Sequence, residues 1–253
     1  MKIKRERKNI ESLLRLSHLF FLPFMFSQVL FGQGKTDNST DWFYPEWAAN
    51  AKFNYPISVL DTDSALGRYS LKTKEVGLKD LARFHGHLCD GLVIAFIEVR
   101  AALEKLFPDG VVDRTDLRAV SKNGPCIIDA VMYLTGARVS FQTLRIDNSI
   151  GEGFIIQRIS TGQTYQVYLR PGVFPAEQAS LEEAIREKRR KGLMVTAQEI
   201  NRVEEMANSL IKKILSTPPE ELLEIRSVAG YIFRPFDFIG ERGDVINKTM
   251  PRK

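Results

Sequence analysis

Apolar residues recur every three to four positions across GLVIAFIEVRAALEKL, and that period predicts a helix over residues 91–106. Phe107-Pro108-Asp109-Gly110 stops it, because proline and a turn-forming Asp-Gly cannot continue a helix. A shorter helix is predicted over residues 77–84, just before the segment HGHLCDG. The break Asn123-Gly124-Pro125 opens a further helix over residues 126–134, which ends at Gly136. Residues 117–120 read as a buried strand and the alternation over 138–147 as another. Residues 153–159 and 164–169 form a hairpin around Ser160-Thr161-Gly162-Gln163. Polar, charged stretches then dominate. Residues 180–191 predict a helix capped by Ser180, and Thr196-x-x-Glu199 matches a capping box ahead of a long helix. Thr217-Pro218-Pro219 starts a last short helix. The pattern as a whole predicts an α+β fold: an antiparallel sheet packed by helices, with a helical C-terminal appendage.

The first residues follow a different rule. A basic run (Lys2, Lys4, Arg5, Arg7, Lys8) precedes the apolar stretch LFFLPFMFSQVLF, and Gly32-Gln33-Gly34 follows. That is the layout of a secretory signal peptide. A spanning helix needs ~20 apolar residues, more than this stretch supplies. The predicted organisation is therefore a leader over 1–33, an aromatic-bearing arm over 34–75, a core over 76–175 and the helical appendage over 176–253. Export, to a periplasm, is the expected location, with no stable membrane span once the leader is removed.

The leader also changes the charge argument. The chain carries a net charge of +5, but six Lys/Arg against two Glu fall in the first 33 residues. The remainder is close to neutral, so the basic isoelectric point does not argue for nucleic acid, and no nucleic-acid partner is expected.

Chemistry concentrates in the five-residue stretch 85–89. Besides His18 in the leader, the chain has only His85 and His87, and Cys89 follows two positions on. Imidazole and thiolate are the ligands that zinc and other borderline metals prefer. Cys126, the one other cysteine, starts the next predicted helix. Two helix N-termini converging would bring together four nitrogen and sulfur ligands, His85, His87, Cys89 and Cys126. Cys89 lies just before one helix, whose positive end would favour a thiolate, and Cys126 sits in the same kind of place. A Cys89–Cys126 disulfide suits an exported protein equally, but leaves the histidines unexplained.

Neighbouring residues have two readings each. Asp129 lies one turn from Cys126 and either fixes a histidine tautomer or simply answers the helix dipole. Asp90 is a ligand, a proton acceptor or, best, the cap of the helix that follows. Lys122 and Asn123 are candidates to line a pocket. Arg138 either meets an anionic ligand or is an exposed strand arginine.

FHGHLCDGL, then a helix, then NGPCIIDAVMYLTG, resembles the core of the FmdE family, which takes its name from a component of formylmethanofuran dehydrogenase. Members carry His-x-His-x-Cys-Pro-Gly, then a Cys-x-x-Asp-Ala helix ending in Thr-Gly-Cys. The resemblance covers roughly residues 77–169. It implies an α+β core, commonly a homodimer, with a metal-binding site at His85, His87, Cys89, Cys126 and Asp129. Asp90 stands where the family has proline, and Ala137 where it has a third cysteine. An exported leader does not fit a cytoplasmic methanofuran enzyme.

The expected function is accordingly an exported protein binding zinc or iron, with a small-molecule or metal ligand as partner. No phosphate loop, nucleophile elbow or dinucleotide fingerprint identifies a substrate or a catalytic residue. A metal carrier or ligand-binding module without turnover, and a thiol redox protein using Cys89 and Cys126, are the alternatives.

Overall fold

Helix α3, Asp90–Leu106, is the axis of the fold. Leu92, Val93, Phe96, Ile97, Val99, Leu103 and Leu106 are buried around its whole circumference, as expected of a helix enclosed by neighbours on every side. The computed structural model describes residues 40–64, 66–240 and 246–249, which fall in the compact unit Ser39–Lys253. The leader over 1–33 and the first residues of the arm lie outside them.

The described residues form two sheets, and the larger packs on α3. The larger has the order β5-β4-β6-β7-β8, built from β4 (Leu117–Ser121), β5 (Leu144–Ile146), β6 (Phe154–Arg158), β7 (Thr164–Leu169) and β8 (Leu223–Ser227). All its pairings are antiparallel except β4 with β5. The smaller sheet, β2-β1-β3, joins β1 (Ile57–Leu60) to β2 (Lys74–Val76) and β3 (Val111–Asp113). Helices α2 (Leu78–His85) and α4 (Pro125–Thr135) pack on the α3 side of the fold. With mixed sheets and packed helices, the fold class is α+β.

The arm does pack aromatics onto the core: Tyr44 is buried, and Phe43 and Trp47 pack beside it around the short helix α1, Glu46–Ala49. Its strands β1 and β2 carry no clear alternation in the sequence. The segment after Pro175 is largely helical, with α5 (Ala176–Arg190), α6 (Ala197–Ser216) and α7 (Pro219–Leu222). It is also tied into the core. Leu210, Ile211, Ile214 and Leu215 of α6 are buried, α6 packs against α3, and β8 returns to pair with β7 along five residues.

Three local expectations give way. Over residues 138–147 only β5 is strand; Val139–Phe141 forms a 3-10 turn and Gln142 takes a positive φ of 57°. The cause is the Arg138 carbonyl, which accepts from both the Thr143 and Leu144 amides and folds the chain back on itself. Ser180 is not a cap, because α5 begins four residues earlier and the Ser180 hydroxyl donates to the Ala176 carbonyl inside it. Thr217 closes α6 rather than opening α7, donating to the Lys213 carbonyl. By contrast, Thr196 and Glu199 form the reciprocal capping box that the sequence pattern predicts. Among the described residues no helix is long and apolar enough to cross a membrane.

Candidate metal centre

The site is assembled where three helix ends meet. α2 finishes at His85, and Gly86, with φ of 102°, turns the chain into the short His87-Leu88 link. That left-handed conformation is open to glycine at little cost. The link ends at Cys89, the residue immediately before α3. Pro125 occupies the first turn of α4, where its missing N–H costs nothing, and places Cys126 next to it.

The sulfur atoms of Cys89 and Cys126 lie 3.5 Å apart. Both cysteines are free. His85 Nε2 is 3.6 Å from the Cys126 sulfur and 3.9 Å from that of Cys89. The other imidazole nitrogen, Nδ1, is 2.7 Å from Asp129 Oδ2. A carboxylate there accepts the Nδ1 proton and orients the ring so that Nε2 faces the sulfurs. Of the two readings open for Asp129, the geometry favours the one that orients a histidine. His87 stands at the exposed rim, its ring centroid 4.7 Å from that of His85. One ligand atom from each of His85, His87 and Cys89 falls within 4.8 Å of the others.

These separations suit one small cation. Two sulfurs on a tetrahedral zinc, each ~2.3 Å away, stand ~3.8 Å apart. The donor set of imidazole and thiolate is also the one that zinc and iron take.

Electrostatics separates the two thiols, although both stand at helix starts. The hydrogen bond between the sulfurs, with His85 nearby, lowers Cys126 to about 6. The same bond, together with burial, pushes Cys89 up. Cys126 is therefore the first thiolate of the pair, and Cys89 the thiol that shares its proton with it.

Gly91 makes the approach possible. A β-carbon there would sit 3.3 Å from the Cys126 sulfur, closer than ordinary van der Waals contact. Gly91 also borders a cavity of about 290 Å³, lined by Ile94, Ala95, Glu98, Lys122, Ile127 and Phe154 among others.

Asp90 sits at the start of α3, where its Oδ1 accepts from the Gly91 amide at 2.8 Å and its Oδ2 from Gln178 Nε2 at 2.5 Å. It is the first residue inside α3 and not its cap, a position Cys89 occupies, and its bond to Gln178 ties α5 to that helix end. Lys122 lines the cavity. Asn123 is exposed, donates its backbone N–H to Asn148 Oδ1 and is not part of that lining. Arg138 lies over the Phe141 ring beside a separate, larger cavity.

Glu98 and Gly91 carry weight that sequence reasoning missed. The signal was present: positions 91, 94, 95 and 98 share one face of α3 by helical spacing, and Glu98 interrupts an otherwise apolar run.

Comparison with known proteins adds the family. No curated protein matches the chain. A solved structure, that of a tungsten formylmethanofuran dehydrogenase FmdE-like protein from Syntrophus aciditrophicus, is 20% identical, with a TM-score of 0.33. The match covers 60% of this chain and 72% of that one. The family model described as "FmdE, Molybdenum formylmethanofuran dehydrogenase operon" matches residues 84–224, more than half of the chain, from just before His85 to the start of β8. The protein is a member of the FmdE family.

Proposed function

We propose that this protein binds one zinc or iron ion through His85 Nε2, Cys89, Cys126 and the rim residue His87, and that it does so as an exported protein. One observation carries the metal reading: two sulfurs 3.5 Å apart face an imidazole nitrogen whose partner nitrogen is held by a carboxylate. A structural thiol pair has no need of that His85–Asp129 arrangement, whereas metal ligands commonly have it.

When bound, such an ion supplies Lewis acidity at the protein surface. The chain's own residues do the rest. Asp129 holds the proton of His85 on Nδ1, Cys126 supplies negative charge, and the exposed side near His87 leaves room for a further molecule. With His87 off the ion, three protein ligands remain and a fourth position opens to water or substrate, which is the pattern of a metal-dependent enzyme and not of a closed structural site.

Elemental analysis of the purified protein tests the metal reading, with about one zinc or iron per chain expected. Asp129→Asn should weaken metal binding or activity by ~10–100-fold while leaving the fold intact, because only the imidazole's orientation and basicity change. Protein without zinc or iron after purification and after reconstitution would overturn the reading.

A second reading, a thiol redox pair, is favoured by the same 3.5 Å separation and by the low pKa of Cys126. It differs in expecting a stable disulfide and little metal. Export rests on the leader layout. N-terminal sequencing of a periplasmic fraction should find a mature chain starting at about residues 32–35, and an intact Met1 in the cytoplasm would remove it.

A further inference from the structure

The cavity bordered by Gly91 has a feature the metal centre does not use. Glu98 is only 5% exposed, yet it lines the cavity. Its Oε1 accepts the Leu169 amide at 2.7 Å, so a proton on the carboxyl belongs to the other oxygen and makes it a donor. The rest of the wall is mostly apolar, from Ile94, Ala95, Ile127 and Phe154. Two charged side chains complete it: Lys122, half-buried after β4, and Glu152, exposed ahead of β6.

We propose that this cavity binds a short monocarboxylate, its carboxylate held by the Glu98 carboxyl and Lys122 and its apolar body packed on Ile94, Ile127 and Phe154. Three arguments select that class. Ligand sites run from ~300 to 1,000 Å³, so a cavity of about 290 Å³ takes only a small molecule. One cation and one hydrogen-bond donor match a single negative charge. A dianion would meet Glu152 without a second cation to offset it. Burial holds the Glu98 proton up to about 8, with Glu152 adding to the effect, so near neutral pH the carboxyl donates rather than repels.

The charged groups facing the cavity are Lys122 and Glu152 from the loops flanking the sheet, with Glu98 itself on α3. Of these, Glu98 is the one whose proton is lost just above neutrality. Binding should therefore weaken as pH rises through about 8.

The inference goes beyond the metal reading and does not depend on it, since none of the residues named is a metal ligand. Calorimetric titration of the full chain with butyrate tests it, on metal-stripped and zinc-loaded protein, at pH 6.5 and 9.5. Butyramide and butylamine serve as neutral and cationic controls. Butyrate should bind best of the three at pH 6.5 in both forms, and roughly tenfold or more weaker at pH 9.5, as Glu98 ionises. Glu98→Gln keeps a donor and should bind equally at both pH values. Lys122→Ala should bind roughly tenfold more weakly at both, from the loss of a charge-assisted bond. The pH profile of the unaltered protein decides the matter even if Glu98→Gln fails to fold. Preference for butylamine, no butyrate binding at pH 6.5, or affinity that ignores pH would overturn the proposal. Metal content measured on the same samples separates its failure from that of the metal centre.

Discussion

Replacing Cys89 or Cys126 by alanine is expected to strip the bound metal almost completely. Each sulfur is one of two that stand 3.5 Å apart, and both approach His85 Nε2. Losing one removes a metal–sulfur bond outright, a larger effect than the ~10–100-fold expected from disturbing an outer partner such as Asp129. His87→Ala should cost less than either, because His87 approaches from the exposed rim. Thiolate and neutral imidazole bind metal only without their protons. Affinity should therefore weaken as pH is lowered, and more steeply below about 6, where Cys126 in the metal-free site also takes up a proton. Metal stoichiometry and thiol titration on Cys89→Ala, Cys126→Ala and His87→Ala read all of this. A thiol redox pair predicts another pattern, in which His87→Ala does nothing and Cys89→Ala uncovers one free thiol at Cys126. Unchanged metal content in both Cys89→Ala and His87→Ala would eliminate the centre.

Stability should fall as pH rises from about 4.5 to about 8, and Glu98 should account for a measurable part of it. Burial raises its pKa from 4.5 to about 8. Between those values the folded chain retains a proton that the unfolded chain has released, so unfolding becomes progressively easier as pH rises across the interval. Below 4.5 both states hold the proton and above about 8 both have lost it, so the contribution is flat at each end. The total is on the order of a few kcal/mol at ~1.4 kcal/mol per unit. Glu98→Gln keeps the acceptor for the Leu169 amide but cannot ionise. Urea unfolding at pH 5, 7 and 9 should show the variant gaining on the unaltered protein as pH rises. Parallel pH profiles for the two would contradict the buried-carboxyl account.

Much of this was readable from local pattern. The three-to-four spacing through α3 and α4, the hairpin of β6 and β7, and the box at Thr196 all concern groups within one turn or one strand pair. Local spacing carries such information because neighbours in sequence are neighbours in space. The misreadings also came from local choices. At residues 138–147 alternation suggested a strand, but the Arg138 carbonyl took two amides from a few residues on and made a tight loop. Ser180 suited a cap, yet α5 begins at Ala176 after Pro175, and Ser180 lies one turn inside it.

The sequence by itself determined which residues could bind a metal, since only His85, His87, Cys89 and Cys126 supply imidazole and thiolate beyond residue 33. It also determined that Cys126 and Asp129 share one helical face. Tertiary structure alone decided how those residues meet: 41 positions separate His85 from Cys126, and only the packing of α2, α3 and α4 brings Nε2 within 3.6 Å of the sulfur. It decided which cysteine ionises first, because that depends on a hydrogen bond between sulfurs 37 residues apart. It decided, too, that a glutamate in an apolar helix lines a cavity instead of reaching solvent. The physical reason is common to all three. Ligand identity is a property of single side chains, whereas distance, desolvation and proton affinity are set by atoms that other parts of the chain bring alongside.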